Sequence, residues 1–416
     1  DQAVKDLVKS AFVHSGQKCS AASVAIVEAS VYDNPAFLRQ LKDAAASLKV
    51  GGSWEVSSVV TPLIKEPEGD LLRALTQLEP GEEWLLKPEP SEDNPCLWSP
   101  GIRLGVKPGS WFHQTECFGP VLGIIRAENL EEAIDIQNDS EFGLTGGLQS
   151  LDEREIALWK SKVQVGNAYI NRVITGAIVR RQPFGGWNHS SMGPGSKAGG
   201  PNYLTMLGSW EEKALPQKLR TPGERITGLV EKLCSELPDC AKRIRSAAGS
   251  QAKWWMEEFG VEHDPSHIYG ENNTFRYVPV KGILARVENM SDADAAILLL
   301  GAKLCGAALH LSVEEGHPWI QKMNGYYASL TVETEAELID RMPEAAQGVK
   351  FLRGTGISEA LANAARARDV EVLDRPVLAN GRLELLGYFR EQAVSETAHR
   401  YGNIIPPPGS FKTAGA

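Results

Sequence analysis

The sequence predicts an α/β protein made of two successive units, each a sheet flanked by helices. Three observations predict it. Short apolar clusters alternate with amphipathic stretches along the whole chain, the pattern of strands and covering helices rather than of a bundle or a sandwich. The 416 residues exceed one typical domain. The alternation is broken once, at residues 211–225 (EEKALPQKLRTPGER), which are charged, proline-bearing and poor in apolar side chains. The expected division is a first domain at 1–212, a linker at 213–228 and a second domain at 229–416.

The elements follow in order. Residues 3–12 read as a helix and 25–28 as a short strand; Asn34-Pro35 then supplies a cap and a first-turn proline for a helix with Phe37, Leu41, Ala44 and Leu48 on one face. A helix at 67–78 precedes strands at 84–86, 101–106 and 121–126, a helix at 130–137, a strand at 147–149, a helix at 153–163 and a strand at 167–171. Beyond the charged stretch, 282–287 reads as a strand, and Ser291 caps a helix through Ile297, Leu300 and Leu304. Strands at 308–313 and 330–332 come next, then the capping box Thr334-Glu335-Ala336-Glu337. Residues 349–352, 359–368 and 370–373 make a further strand, helix and strand. Asn380-Gly381, between apolar pairs, predicts a hairpin turn. The helical spacing of Trp254, Trp255 and Phe259 is expected to pack between domains. Pro406-Pro407-Pro408 belongs to neither a helix nor a central strand.

Composition excludes several classes of function. With 43 Lys and Arg against 53 Asp and Glu the formal charge is -10, so nucleic acid, which needs clustered cations, is not an expected partner. The most apolar run, 295–313, is interrupted by Lys303 and His310, so no membrane span is expected. Six cysteines without CxxC spacing fit a reducing cytoplasm rather than a disulfide scaffold. His263, Asp264 and His267 lack a third convincing ligand beside Pro265, and no metal is expected. The chain begins at Asp1 inside a helix with no signal-peptide pattern before it, and reads as a piece of a longer polypeptide.

Three segments could carry chemistry. Cys19 lies in a small polar turn, Ser15-Gly16-Gln17-Lys18-Cys19-Ser20, open enough to admit a substrate and cationic enough to favour a thiolate; the competing reading is an ordinary buried cysteine. Glu116 and Phe118 stand at i and i+2 before a strand, where an acid could accept from sugar hydroxyls while a ring packs on a flat group; the competing reading is a solvated acid and a core phenylalanine. Thr175-Gly176-Ala177 could present successive N–H groups to a carboxylate, and Arg180-Arg181 could steer an anion or simply be solvated. Gly193-Pro194-Gly195-Ser196-Lys197 lacks P-loop spacing.

The motifs GQKCSA around Cys19, ECFGPV around Glu116 and QPFGG at 182–186 occur in the order and spacing of the aldehyde dehydrogenase superfamily, which the chain resembles. TGAIVRRQPFGG with KAGGPNYL further resembles its glutamate-semialdehyde (pyrroline-5-carboxylate) dehydrogenase branch, and the second half resembles the C-terminal domain of long proline utilization A proteins. The resemblance implies an α/β aldehyde-dehydrogenase catalytic domain followed by a second, aldehyde-dehydrogenase-like α/β domain without activity, which covers the passage of the intermediate. It implies Cys19 as nucleophile, Glu116 on the nicotinamide ribose of NAD and Phe118 beside the nicotinamide. Ser20, Gly176 and Ala177 would anchor the carboxylate of glutamate semialdehyde, with Phe184 along its methylene chain. FAD is implied only for an upstream proline dehydrogenase part of the same polypeptide, and homo-oligomerisation is left open.

In that family the general base, a Glu, and an oxyanion-binding Asn come from well before the nucleophile, and 18 residues precede Cys19 here. Loss of a general base costs roughly 10²- to 10⁴-fold, so these residues by themselves are expected to have negligible activity. The alternative from another class is a non-catalytic assembly and channel-covering module. A Cys-His hydrolase fits less well, because His14 has no evident orienting carboxylate.

Overall fold

The computed structural model describes residues 1–191, 195–316, 325–400 and 403–404. The proline run at 406–408 and Gly193-Pro194 lie outside the described residues. The chain divides into two compact units, the first Asp1–Ser190 with Pro265–Asn273 and the residues from Ala393, the second Ser191–Asp264 with Thr274–Gln392.

In the first unit α1 (Gln2–Phe12) buries Val4, Val8, Ala11 and Phe12, one stripe at helical spacing, in a cluster with Leu41, Ile102, Leu122 and Ile124. Strand β1 (Val24–Glu28) follows, then α2 (Pro35–Ala46), whose cap Asn34 accepts from the Ala36 N–H at 2.9 Å as Asn-Pro predicts. Next come α3 (Gly69–Thr76), β2 (Glu83–Leu86), β3 (Gly101–Leu104), β4 (Val121–Ala127), α4 (Leu130–Asn138), β5 (Thr145–Leu148), α5 (Glu153–Lys162) and β6 (Asn167–Ile170). One sheet has the order β1-β4-β3-β2, with β1, β4 and β3 parallel and β2 antiparallel. Because β1 and β4 are parallel neighbours in register Val24 to Gly123, the segments entering both strands meet at one edge.

The second unit holds α6 (Glu224–Glu236), α7 (Ala241–Trp254), most of β7 (Glu271–Pro279), β8 (Gly282–Arg286), α8 (Asp292–Cys305), β9 (Ala308–Val313), β10 (Ser329–Val332), α9 (Glu335–Asp340), β11 (Val349–Gly354), α10 (Glu359–Arg366), β12 (Glu371–Asp374), the turn of helix α11 (Gly381–Glu384) and the start of β13 (Phe389–Thr397). Its sheet is parallel throughout, in the order β10-β9-β8-β11-β12, a doubly wound arrangement. Ser291 and Thr334 form the capping boxes of α8 and α9. In the first unit, Ala393 to Glu396 of β13 pair in parallel with β6, which also pairs with β5.

The compact units divide after Ser190, and α6 starts at Glu224, where Ile226 and Leu229 bury in the second unit's core. Two expectations are corrected. Asn380-Gly381 is not a hairpin. Asn380 caps α11 by accepting from the Arg382 N–H at 3.0 Å, and Gly381 lies so close to α7 that a Cβ would stand 2.6 Å from the Gln251 nitrogen. Trp255 and Phe259 stack on Phe389, with ring centroids 6.0 and 5.2 Å apart, within the second unit's own core.

Candidate active site

Cys19 follows three residues in left-handed backbone, His14, Ser15 and Gly16, with φ of 58°, 57° and 65°. Two of these carry side chains, so the turn is strained and needs compensation. Ser15 supplies some of it, since its hydroxyl accepts from the Thr61 N–H at 2.9 Å and donates to the Thr61 carbonyl. Gln17 continues the anchoring: its amide oxygen accepts from the Ile64 N–H at 3.0 Å, and its amide nitrogen donates to the Phe118 carbonyl at 3.1 Å. Gly16 is required twice over, by its φ and by the Gly119 carbonyl, which a Cβ would penetrate. The Cys19 turn and the Glu116 turn are therefore locked backbone to backbone at the edge where β1 and β4 begin.

Both turns open onto a cavity of about 730 Å³ lined within the first unit. Cys19, Glu116 and Phe118 all line it. Cys19 is the exposed cysteine of the six; Cys96 and Cys240 are half-buried, and Cys117, Cys234 and Cys305 are buried. Cys117, next to Phe118 in the same turn and also on the cavity's lining, is buried and has its thiol pushed up to about 12 by that burial, with Arg103 and Arg73 opposing and Asp70 and Glu116 adding. It stays a thiol at neutral pH and is no competing nucleophile. Glu116 is exposed, and Phe118, at φ 57°, leaves 41% of its surface open. An accessible carboxylate and an accessible ring on one wall suit a ligand that joins a sugar diol to a flat ring, so these residues fit a nicotinamide nucleotide.

The four predicted substrate contacts are not among the cavity's lining residues. Ser20 is buried, and its carbonyl accepts from the Thr145 hydroxyl at 3.5 Å. Gly176 is exposed in left-handed backbone at φ 81°, and Ala177 and Phe184 are half-buried. Their loop is held by Gln182, whose amide oxygen accepts from the Ile178 N–H at 2.9 Å while its nitrogen donates to Asn273 Oδ1 at 2.8 Å and Ser395 Oγ at 3.0 Å. Arg181 stands 3.7 Å from Glu271, so it is paired rather than freely solvated.

The cavity also has walls that sequence reasoning missed. His113 lines it with its Nδ1 accepting from the Gly109 N–H at 3.0 Å, and burial lowers its pKa so that it is neutral at pH 7. Asp6 and Arg172 line it as well; Ser10, one turn along α1, accepts from the Ile174 N–H at 3.1 Å and joins the helix to the anchor loop. The one sequence cue was polar residues on an otherwise apolar helix face. Among the described residues no group of three or more His, Cys, Asp and Glu comes together as a metal site, and no helix is long and apolar enough to cross a membrane.

Residues 1–209 match the model of the aldehyde dehydrogenase family. Over 205 residues the chain is 37% identical to a 1-pyrroline-5-carboxylate dehydrogenase of Geobacillus sp. (strain WCH70), a match covering 49% of this chain and 39% of that one. Over 207 residues it is 36% identical to the 1-pyrroline-5-carboxylate dehydrogenase of Bacillus subtilis (strain 168), covering 50% and 39%. The solved structure of proline utilization A from Corynebacterium freiburgense superposes with a TM-score of 0.80 at 44% identity, covering 97% of this chain and 38% of that one. The chain thus spans about two-fifths of the length of each of these relatives. With three co-linear motifs, an open Cys19 beside Glu116 and Phe118, and a family match over half its length, the chain belongs to the aldehyde dehydrogenase family.

Proposed function

We propose that the chain oxidises L-glutamate γ-semialdehyde to L-glutamate, as part of a longer proline-catabolising polypeptide, with Cys19 as nucleophile. The observation that carries this reading is the exposed Cys19 on the same cavity wall as Glu116 and Phe118. Relatives named 1-pyrroline-5-carboxylate dehydrogenase support the choice of aldehyde, since that compound hydrolyses to the semialdehyde.

The Cys19 thiolate adds to the aldehyde carbon to form a thiohemiacetal; loss of hydride leaves a thioester, and water then releases the carboxylate and frees the sulfur. Bound NAD supplies the two-electron acceptor for the hydride. Glu116 would hold the ribose hydroxyls and Phe118 would pack beside the nicotinamide. Ser20 and the N–H groups of Gly176 and Ala177 anchor the substrate carboxylate, with Phe184 along its methylenes. Because Ser20, Gly176, Ala177 and Phe184 are not among the cavity's lining residues, this anchoring requires the substrate to reach beyond the cavity wall.

The first domain, 1–212, carries the catalysis and 229–416 is its non-catalytic companion; the described residues lining the cavity belong to the first unit. FAD belongs to an upstream proline dehydrogenase part of the longer polypeptide; the general base and the oxyanion Asn come from aldehyde dehydrogenase segments that precede Cys19. The test is NADH formation by the full-length polypeptide with pyrroline-5-carboxylate. The expected result is robust turnover that Cys19→Ala lowers on the order of 10⁴-fold or more, as loss of a covalent nucleophile does. Turnover that survives Cys19→Ala would overturn the assignment and favour a non-catalytic role for this chain.

A further inference from the structure

Tyr169 on β6 is 1% exposed, and its hydroxyl has no hydrogen-bond partner among the described residues. Buried tyrosines ordinarily find a partner, because an O–H that has left water without a replacement opposes folding. Among the described residues, this donor has no acceptor.

The surroundings say where that acceptor would be. Alternation along β6 puts Ala168 and Ile170 in the apolar cluster with Trp159 and Val394, and Asn167 and Tyr169 on the opposite face. That opposite face carries the site. Asn167 donates to the Pro183 carbonyl at 3.0 Å and accepts from the Gly185 N–H at 3.2 Å, so it holds the 182–186 loop. Its register partner on β5 is Thr145, whose hydroxyl reaches the Ser20 carbonyl beside the nucleophile. Gly147, opposite Tyr169 in the same ladder, lines the cavity with Cys19. So does Arg172, whose guanidinium carbon lies 5.8 Å from the Tyr169 ring centroid.

Charge agrees with geometry. Burial pushes the phenol up to about 12; a Cys19 thiolate pushes it the same way, while Arg172 and the Asn167 amide pull it down. The phenol therefore keeps its proton at working pH. The Asn167 amide oxygen already accepts from the Gly185 N–H.

We propose that the Tyr169 hydroxyl donates a hydrogen bond to the substrate oxygen held on Cys19. The proposal rests on Cys19 as the nucleophile. When sulfur adds to the aldehyde, negative charge grows on that oxygen, and a fixed donor in a water-poor setting strengthens as it grows. No bond to Tyr169 is made or broken, and its proton stays on the phenol. Tyr169 would act beside the Asn that the resemblance places upstream.

The experiment is Tyr169→Phe in the full-length polypeptide, read on both kinetics and stability. Expected is a fall in kcat/KM for pyrroline-5-carboxylate of about 10- to 100-fold, somewhat under the loss usual for a sole oxyanion donor. The unfolding midpoint should stay or rise, because the variant removes an unsatisfied buried hydroxyl. A merely structural tyrosine gives the reverse, a lower midpoint with kcat/KM unchanged, and that result overturns the proposal while leaving the Cys19 reading intact. A wild-type protein that does not oxidise the aldehyde overturns the Cys19 reading and this proposal with it. If the Phe variant does not fold, a ring-fluorinated tyrosine at position 169 should move the alkaline limb of the kcat/KM profile to lower pH; an unmoved limb contradicts the role.

Discussion

In the first unit the turns entering β1 and β4 stand open around a cavity, whereas in the second the segments leaving β8, β11 and β12 are filled by the chain's own side chains. The carboxyl ends of a doubly wound parallel sheet are where such folds ordinarily take a ligand. Here Arg286, the last residue of β8, donates to Ser312 Oγ at 3.1 Å and the Glu333 carbonyl at 2.8 Å and pairs with Glu288 and Glu314 at 2.8 and 3.0 Å. Arg353 of β11 donates to the carbonyls of Leu373 at 3.1 Å and Pro376 at 3.0 Å. Asp374, ending β12, accepts from the N–H groups of Gly356 at 2.7 Å and Ile357 at 3.2 Å, donors a phosphate would otherwise use. The comparison teaches that an α/β framework alone does not make a site. What distinguishes the first unit is a strained turn held open by Ser15, Gly16 and Gln17.

That contrast can be broken at one glycine on each side. Gly16→Ala meets both a left-handed φ and the Gly119 carbonyl, and is expected to lower unfolding free energy by about 3 kcal/mol or more. Gly356→Ala has φ 72° but nothing nearer than 3.6 Å, so only the left-handed penalty of about 1–2 kcal/mol applies. Denaturant titration of both variants gives the order directly; equal losses would mean that the approach of Gly16 to Gly119 is not what fixes the two turns. Only Gly16→Ala should also reduce aldehyde turnover.

A smaller effect sharpens the other side. The second unit buries charge: Lys197 is fully buried with its pKa lowered to about 7 by desolvation, against the attraction of Glu391, and burial raises Glu391. A lysine whose folded pKa lies below its unfolded value opposes folding while protonated, so stability should rise with pH from about 7 toward the ordinary lysine value near 10.4. Lys197→Met should flatten that rise in unfolding midpoints measured across the window. A slope unaltered by the substitution would show that another group sets it.

Much of this was legible in the sequence, for identifiable reasons. Asn34-Pro35, Ser291 and Thr334 announced helix starts because a cap is a local interaction, complete within four residues. Cys19, Glu116 and Phe118 were legible because their motifs sit in the short turns that enter adjacent strands, so that order along the chain survives as nearness in space. Asn380-Gly381 misled because a cap and a hairpin turn use the same residue types, and only the approach of Gly381 to Gln251 decides between them. His113 and Arg172 gave no signal, since being on the cavity wall is a property of the assembled sheet. The lone hydroxyl of Tyr169 was likewise invisible, because a missing partner appears only once every neighbour is in place.

That Cys19 is the open nucleophile of the first unit's cavity is tested most directly by peptide mapping after brief iodoacetamide treatment of the full-length polypeptide at neutral pH. Cys19 should carry the label, substrate should protect it, and Cys117, whose thiol is held protonated, should remain unmodified. Equal labelling of Cys19 and Cys117, or a Cys19 that stays unlabelled in the folded protein, would contradict the account.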